Sequence, residues 1–113
     1  MQYDYIVIGS GSGGAAVAGR LSEDGRTTVC LLEAGGKDLH PFIHIPVLFP
    51  HLLTNPKTTW LRKSEPVPGL NGRPMFFPSG KVLGGSSSIN GMLYIRGQAQ
   101  DYNDWRDAGN NGW

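Results

Sequence analysis

Three glycines and one acid carry the first chemistry in this chain. Gly9, Gly11 and Gly14 stand in the spacing G-x-G-x-x-G, and Glu33 follows about 20 residues after the last of them. Glycines so spaced allow a tight exit from a strand, a close approach of backbone N–H groups to a phosphate, and close packing of a helix on a strand. A carboxylate at that distance accepts hydrogen bonds from ribose hydroxyls and disfavours a 2′-phosphate. The set predicts a seat for the pyrophosphate and ribose of a dinucleotide, with NADP disfavoured. No Lys-Ser or Lys-Thr follows the glycines, so the loop is not of the Walker A kind. The spacing alone does not separate FAD from NAD.

The elements that would position these residues are legible around them. Residues 4–8 form a short apolar run rich in β-formers, which predicts a buried strand. Residues 15–21 read as a helix with small residues on its inner side, and its N-terminus would offer free N–H groups to phosphate. Residues 28–32 read as a second strand that delivers Glu33 at its end. Strand, glycine turn, helix, strand and acid is the order of a dinucleotide-binding βαβ unit.

A second glycine cluster lies in residues 78–98, PSGKVLGGSSSINGMLYIRGQ. Gly84 and Gly85 allow close backbone approach, Ser86, Ser87 and Ser88 are suited to capping a following helix, and Asn90 supplies both a donor and an acceptor. Small residues beside polar ones suit a flat ligand lying against the backbone. No serine stands in G-x-S-x-G, which excludes a hydrolase nucleophile elbow here.

Between the two clusters, residues 37–71 are expected to lose regularity. Pro41, Pro46, Pro50, Pro56, Pro66 and Pro68 interrupt any long helix or central strand. The segment is nevertheless apolar and needs cover, so an ordered excursion packed over something larger is predicted, with a short helix near 47–53. Asn71-Gly72 predicts a turn, and residues 73–77 a short strand. Trp60, Phe76 and Phe77 read as core residues on their own. His40, His44 and His51 have spacings reminiscent of ligands, but the intervening prolines and the lack of a cysteine or acid cluster argue against a metal site.

Composition bounds the function classes. The chain has 113 residues, 39% hydrophobic and 17% charged, with a net charge of +1, which gives no push toward nucleic acid or an anionic membrane. Its 17 glycines fall mainly in the two clusters without a period, so a collagen-like or low-complexity reading fails. Cys30 is the only cysteine and reads as a small buried hydrophobe, so no intrachain disulfide is possible and a reducing compartment is expected. No run approaches the length of a membrane span.

On these motifs the chain resembles the N-terminal segment of the glucose–methanol–choline oxidoreductase family, especially its bacterial choline and alcohol dehydrogenase branch. The resemblance covers GSGSGG, RLSED, LLEAGG, HIPVLFP, PGLNGR, GKVLGGSSSINGMLYIRGQ and DYNDW leading to GNNGW. It implies an α/β fold: an incomplete Rossmann-like FAD-binding domain over residues 1–113, built from a βαβ unit, a long irregular excursion and the second glycine segment. It implies FAD as cofactor. Gly9, Gly11 and Gly14 would hold the pyrophosphate and Glu33 the adenosine ribose, with Ser10 and Ala34 beside them. The block from Val82 to Leu93 would lie along the flavin, with Gly84, Ser86, Asn90, Gly91 and Met92 nearest, and Trp60 also approaches the cofactor in relatives. Residues 98–113 resemble the family's next helix and turn, with Asp101, Tyr102 and Trp105 on one helical side.

Two departures from the family pattern stand out. Ser79 takes a place where relatives often carry Arg, and Ile89 takes the place where some oxidases carry a flavin-linked His. A non-covalent flavin is therefore expected. The family's general base is a His near its far C-terminus, paired with a second His or an Asn. No histidine here matches that motif, so no catalytic residue is assigned. The chain reads as the N-terminal part of a longer protein, inactive and aggregation-prone alone, with apolar surface around residues 42–61 left without a partner. A small alcohol would be the substrate of the full-length enzyme only. The expected location is the cytoplasm, with peripheral attachment at the inner membrane as the alternative for the full-length enzyme. An NAD-binding module and a non-catalytic remnant are the competing readings.

Overall fold

The computed structural model describes residues 1–112. The Trp that ends the GNNGW motif lies outside the described residues. The first unit is strand β1 (Tyr5–Ile8), helix α1 (Ser12–Leu21) and strand β2 (Val29–Leu32). The strands pair in parallel, Tyr5 opposite Val29 and Ile8 opposite Leu32. Parallel neighbours cannot be joined by a hairpin, and α1 makes the crossover. It starts earlier than the small-residue run predicts, because Gly11 adopts an extended N-cap and its carbonyl accepts from Ala15 N–H at 2.8 Å.

Side chains pin the end of this unit where both strands begin. The Asp4 carboxylate accepts from Thr28 N–H at 2.8 Å and from Thr28 Oγ1–H at 2.6 Å, which ties the start of β1 to the start of β2. Asp24 accepts from Arg26 and Thr27 N–H groups, both at 2.9 Å. That closes the turn after α1, where Gly25 takes a left-handed φ of 65°.

Residues 37–71 are more regular than their prolines predict. Pro41–Ile43 and Pro46–Leu48 form 3-10 turns, each with proline at its N-terminal end, where a missing N–H costs nothing. Helix α2 (Phe49–Leu53) forms where a short helix is expected. The expectation of irregularity fails at strand β3 (Thr59–Lys63), which pairs antiparallel with β4 (Phe76–Gly80). The predicted strand at 73–77 therefore sits further along the chain. Pro78 opposes Leu61 inside this ladder; a two-stranded sheet leaves each strand a free edge, so a proline is tolerated. Asn71 and Gly72, at φ 54° and 73°, make the predicted turn.

The core lies where the excursion meets the second glycine segment. Leu52, Val82 and Ile89 are fully buried, with Phe42, Ile43 and Leu53 packed on them. Each such side chain contributes about 1.5–3 kcal/mol on burial. Part of the apolar surface expected to lack a partner thus builds the core. Its buried hydroxyls are satisfied: Thr59 and Thr58 both donate to the Leu52 carbonyl, at 2.6 and 3.2 Å. Three other expectations are corrected. Phe76 and Phe77 point to opposite faces of β4 and both are exposed, since neither face of the ladder is covered at that end, and Trp60 is at the rim of a cleft. Cys30 is half-buried, because β2 has no layer over one face. Within residues 42–61, Ile45, Val47 and Leu61 do stay exposed, and further uncovered apolar surface falls on β1 and β2, with Ile8 84% exposed, and on residues 92–95.

Backbone contacts join the two halves. Gly36 bridges Val82, Leu83 N–H donates to the Gly36 carbonyl at 2.8 Å, and Lys81 N–H donates to the Thr58 carbonyl at 2.7 Å. A Cβ on Gly35 would strike the Lys81 backbone, so glycine is required at this crossing. Helix α3 (Ala99–Asp107) follows a capping box in which Gln98 N–H donates to Asp101 at 3.1 Å. On it the Tyr102 and Trp105 rings meet edge to face at 6.2 Å. Among the described residues no helix is long and apolar enough to cross a membrane.

Candidate functional site

A cleft of about 500 Å³ opens at the C-terminal ends of β1 and β2, the place where α/β sheets bind ligands. One wall is Ile8, Gly9 and Gly11 at the exit of β1. A second is Leu32, Glu33 and Ala34 at the exit of β2. Trp60 of β3, Gly80 of β4, and Gly85 and Ser86 of the second glycine segment complete it. The two glycine motifs, separated by some seventy residues of sequence, thus face one space.

The phosphate side of the cleft is made by what α1 lacks. Gly11 is its N-cap, with no side-chain cap and no acid in the first turn. The first N–H groups of a helix have no intrahelical acceptor, and the helix dipole adds a partial positive charge there. Gly9 sits at φ 91°, a left-handed conformation that favours glycine, and a Cβ on Gly9 or Gly11 would meet no atom of the chain. That space is left beside the helix N-terminus. Gly14 differs: its Cβ would strike the Gly9 carbonyl, so its role is to seat α1 on the strand exit.

The opposite side carries the negative charge. One Glu33 oxygen, Oε2, accepts from Ser10 N–H at 2.9 Å and Ser10 Oγ–H at 2.6 Å, while Oε1 accepts from Gly35 N–H at 2.8 Å. The Ser10 hydroxyl, then the Ser10 amide, hold this carboxyl below the ordinary glutamate range; burial opposes them, and the Gly35 and Ala34 amides add to the lowering. Glu33 is therefore ionised at neutral pH. A carboxylate has about four acceptor positions; the three bonds above leave one for a ligand hydroxyl. A cationic helix end and an anionic acceptor across one cleft fit a molecule with a diphosphate next to a sugar. Trp60 adds a flat wall, held by Lys81 Nζ at 4.4 Å and Arg62 at 5.6 Å from its ring centroid.

The candidate residues divide by position. Gly9, Gly11, Glu33, Ala34, Trp60 and Ser86 line the cleft. Ser10 and Gly84 lie behind it, joined by a 3.0 Å hydrogen bond from Gly84 N–H to Ser10 Oγ. Val82 is in the core. Asn90 is outside the cleft, with its side chain donating to the Ser87 carbonyl and accepting from Met92 N–H. Gly91 lies against the Phe49 ring, and Met92, at φ 54°, and Leu93 are exposed beyond it.

The serine run does not cap a helix. Gly85–Ser88 is a 3-10 turn, and no helix follows before α3. Ser87 and Ser88 donate back to the Gly84 and Leu83 carbonyls at 2.7 and 2.8 Å, and Ser86 Oγ accepts from Gly80 N–H at 3.0 Å. Sequence reasoning did not single out Ile8, Leu32 or Gly80. The first two were signalled by their places at strand exits. Gly80 is required because its Cβ would strike the Gly85 backbone.

Known proteins place this arrangement. The oxygen-dependent choline dehydrogenase of Rhizobium etli is 51% identical over all 113 residues, which cover 21% of that protein. The crystal structure of pyridoxine 4-oxidase from Mesorbium loti superposes with a TM-score of 0.81 at 36% identity, over 94% of this chain and 21% of that one. An FAD-dependent oxidoreductase from Chaetomium thermophilum superposes with a TM-score of 0.71 at 37% identity, over 99% of this chain and 19% of that one. The chain spans about a fifth of the length of these relatives. The family described as GMC oxidoreductase matches residues 3–113, and with its glycine loop, terminal acid and second glycine turn around one cleft the chain belongs to that family.

Proposed function

We propose that residues 1–113 are the N-terminal part of the FAD-binding domain of an enzyme that oxidises CH–OH groups, with a choline-like or other small alcohol as substrate of the full-length protein. The observation that carries this reading is the single cleft shared by the α1 N-terminus, the Glu33 carboxylate and the Gly85–Ser86 turn. When bound, FAD supplies the hydride acceptor for such an oxidation. The chain's own residues bind and orient. Gly9 and Gly11 leave the α1 amides open to the pyrophosphate, and Gly14 seats α1 against the strand exit so that they face it. Glu33, with Ser10 and Ala34 around it, receives a ribose hydroxyl on its remaining acceptor position. Trp60 and Ser86 wall the cleft, and Gly84 fixes the turn behind it. We assign Val82, Asn90, Gly91, Met92 and Leu93 to the same ligand's flavin end. None of these residues is a general base, so proton removal from the alcohol belongs to other parts of the full-length enzyme, which we place in the cytoplasm.

The test is to purify the full-length protein and titrate it with FAD and NAD separately. One FAD per chain, with flavin absorbance co-eluting on gel filtration, supports the reading. Saturable binding of NAD with none of FAD overturns it in favour of a nicotinamide module.

A further inference from the structure

We infer that Ser10 is a positioning residue that couples the Glu33 carboxylate to the turn begun by Gly84. The linkage is a property of the chain; only the ligand it serves rests on the flavin reading above. Ser10 fills the variable place between Gly9 and Gly11, where the motif asks nothing of the side chain. It is nevertheless only 2% exposed. Its hydroxyl accepts from Gly84 N–H at 3.0 Å and donates to Glu33 Oε2 at 2.6 Å. The direction is forced, because an amide N–H can only donate and a carboxylate can only accept. Ser10 N–H meets the same carboxylate oxygen at 2.9 Å. A directed chain therefore runs from Gly84 through Ser10 to Glu33, across 74 residues of sequence at its longer step.

Each end of that chain borders the cleft. Glu33 lines it directly, and Gly84, at φ 90°, is the N-cap of the Gly85–Ser88 turn that lines it with Gly85 and Ser86. The bonds from Gly80 to Ser86 and from Gly85 N–H to the Val82 carbonyl hold this turn to β4 and to itself. Ser10 ties it to the glycine loop. The groups acting on Glu33's charge are neutral donors, Ser10 from the exit of β1 and Gly35 and Ala34 from its own loop, with no charged side chain among them. Occupation of Glu33 by a ribose and the placement of the turn on the other wall are thus linked through one hydroxyl.

The test uses the full-length protein with Ser10→Ala, which removes only the hydroxyl, and Ser10→Cys, which keeps the shape with a weaker donor. Two quantities are read: amide exchange at Gly84, and the pH dependence of FAD affinity. The Gly84 amide should exchange about tenfold faster in Ser10→Ala, and faster by less than that in Ser10→Cys. The acid limb of FAD binding should move to higher pH, because Glu33 loses the largest contribution holding its pKa down. A packing role alone would leave that limb in place. Wild-type exchange at Gly84 in both variants overturns the inference, as does faster exchange with an unmoved acid limb. If the wild type binds no FAD, the flavin reading fails, and exchange at Gly84 alone then decides the linkage.

Discussion

Removing the Glu33 carboxylate should weaken FAD binding and the fold together, by amounts that follow from its partners. Glu33→Ala strands three donors: the N–H and O–H of the buried Ser10 and the N–H of Gly35. Hydrogen bonds to a charged group contribute about 1.5–3 kcal/mol, and a buried donor left alone costs about 1–3 kcal/mol. Solvent reaches the Gly35 side, so the loss of stability should be about 2–3 kcal/mol. The ligand loses one charged acceptor, worth about 1.5–3 kcal/mol, or roughly 10- to 150-fold in affinity. Glu33→Gln separates the terms. Its single carbonyl oxygen can receive the Ser10 pair, but its NH₂ then faces Gly35 N–H, so it should lie between wild type and Ala in both quantities. Urea unfolding and FAD titration of the full-length protein measure the two. Wild-type affinity in both variants would refute the placement of Glu33 on the ligand, and wild-type stability would refute the hydrogen-bond argument.

Three further outcomes are expected. Gly14→Ala should prevent α1 from seating, since its Cβ meets the Gly9 carbonyl, a rigid backbone atom; loss of FAD binding together with at least about 1–3 kcal/mol of stability is expected, and an unchanged urea midpoint would contradict it. Stability should also fall in acid. Asp4 is held below the ordinary carboxylate range first by the Thr28 hydroxyl, Asp24 by the Thr27 amide and Glu33 by the Ser10 hydroxyl. Groups with depressed folded pKa values contribute fully above the unfolded value, about 4, and lose that contribution as pH falls through the folded value. Urea midpoints should therefore hold from neutral to about pH 5 and drop below it, and Thr28→Val should remove part of the drop. Finally, acid precipitation of the yellow holoenzyme should leave FAD in the supernatant. Ile89 is buried against Leu52 and Val82 and carries no nucleophile; flavin retained on a peptide from residues 82–93 would show that a covalent link forms.

The βαβ unit and its acid were legible because local chemistry forces them. A strand that must turn sharply, free a helix N-terminus and end on a carboxylate leaves its glycines and Glu33 at fixed intervals. Strand β3 was hidden because Pro56, Pro66 and Pro68 around it read as irregular chain, and its partner β4 contains Pro78. Only long-range pairing makes them a ladder. The core was hidden for the same reason: Leu52 finds Val82 and Ile89 across the excursion, which no periodicity announces. The serines at 86–88 look like caps because their hydroxyls suit that task, yet in the 3-10 turn two of them bond back to nearby carbonyls. Ser10 left no trace in spacing, since its partner Gly84 is fixed by tertiary structure alone.

The central claim is that one FAD occupies the cleft between the α1 N-terminus and Glu33. The most direct measurement is the electron density of the full-length protein crystallised with FAD. The account predicts the pyrophosphate against the amides of Gly11 to Gly14, and an adenosine ribose hydroxyl within hydrogen-bond distance of Glu33. A pyrophosphate bound elsewhere, or a ribose that leaves Glu33 untouched, would contradict it.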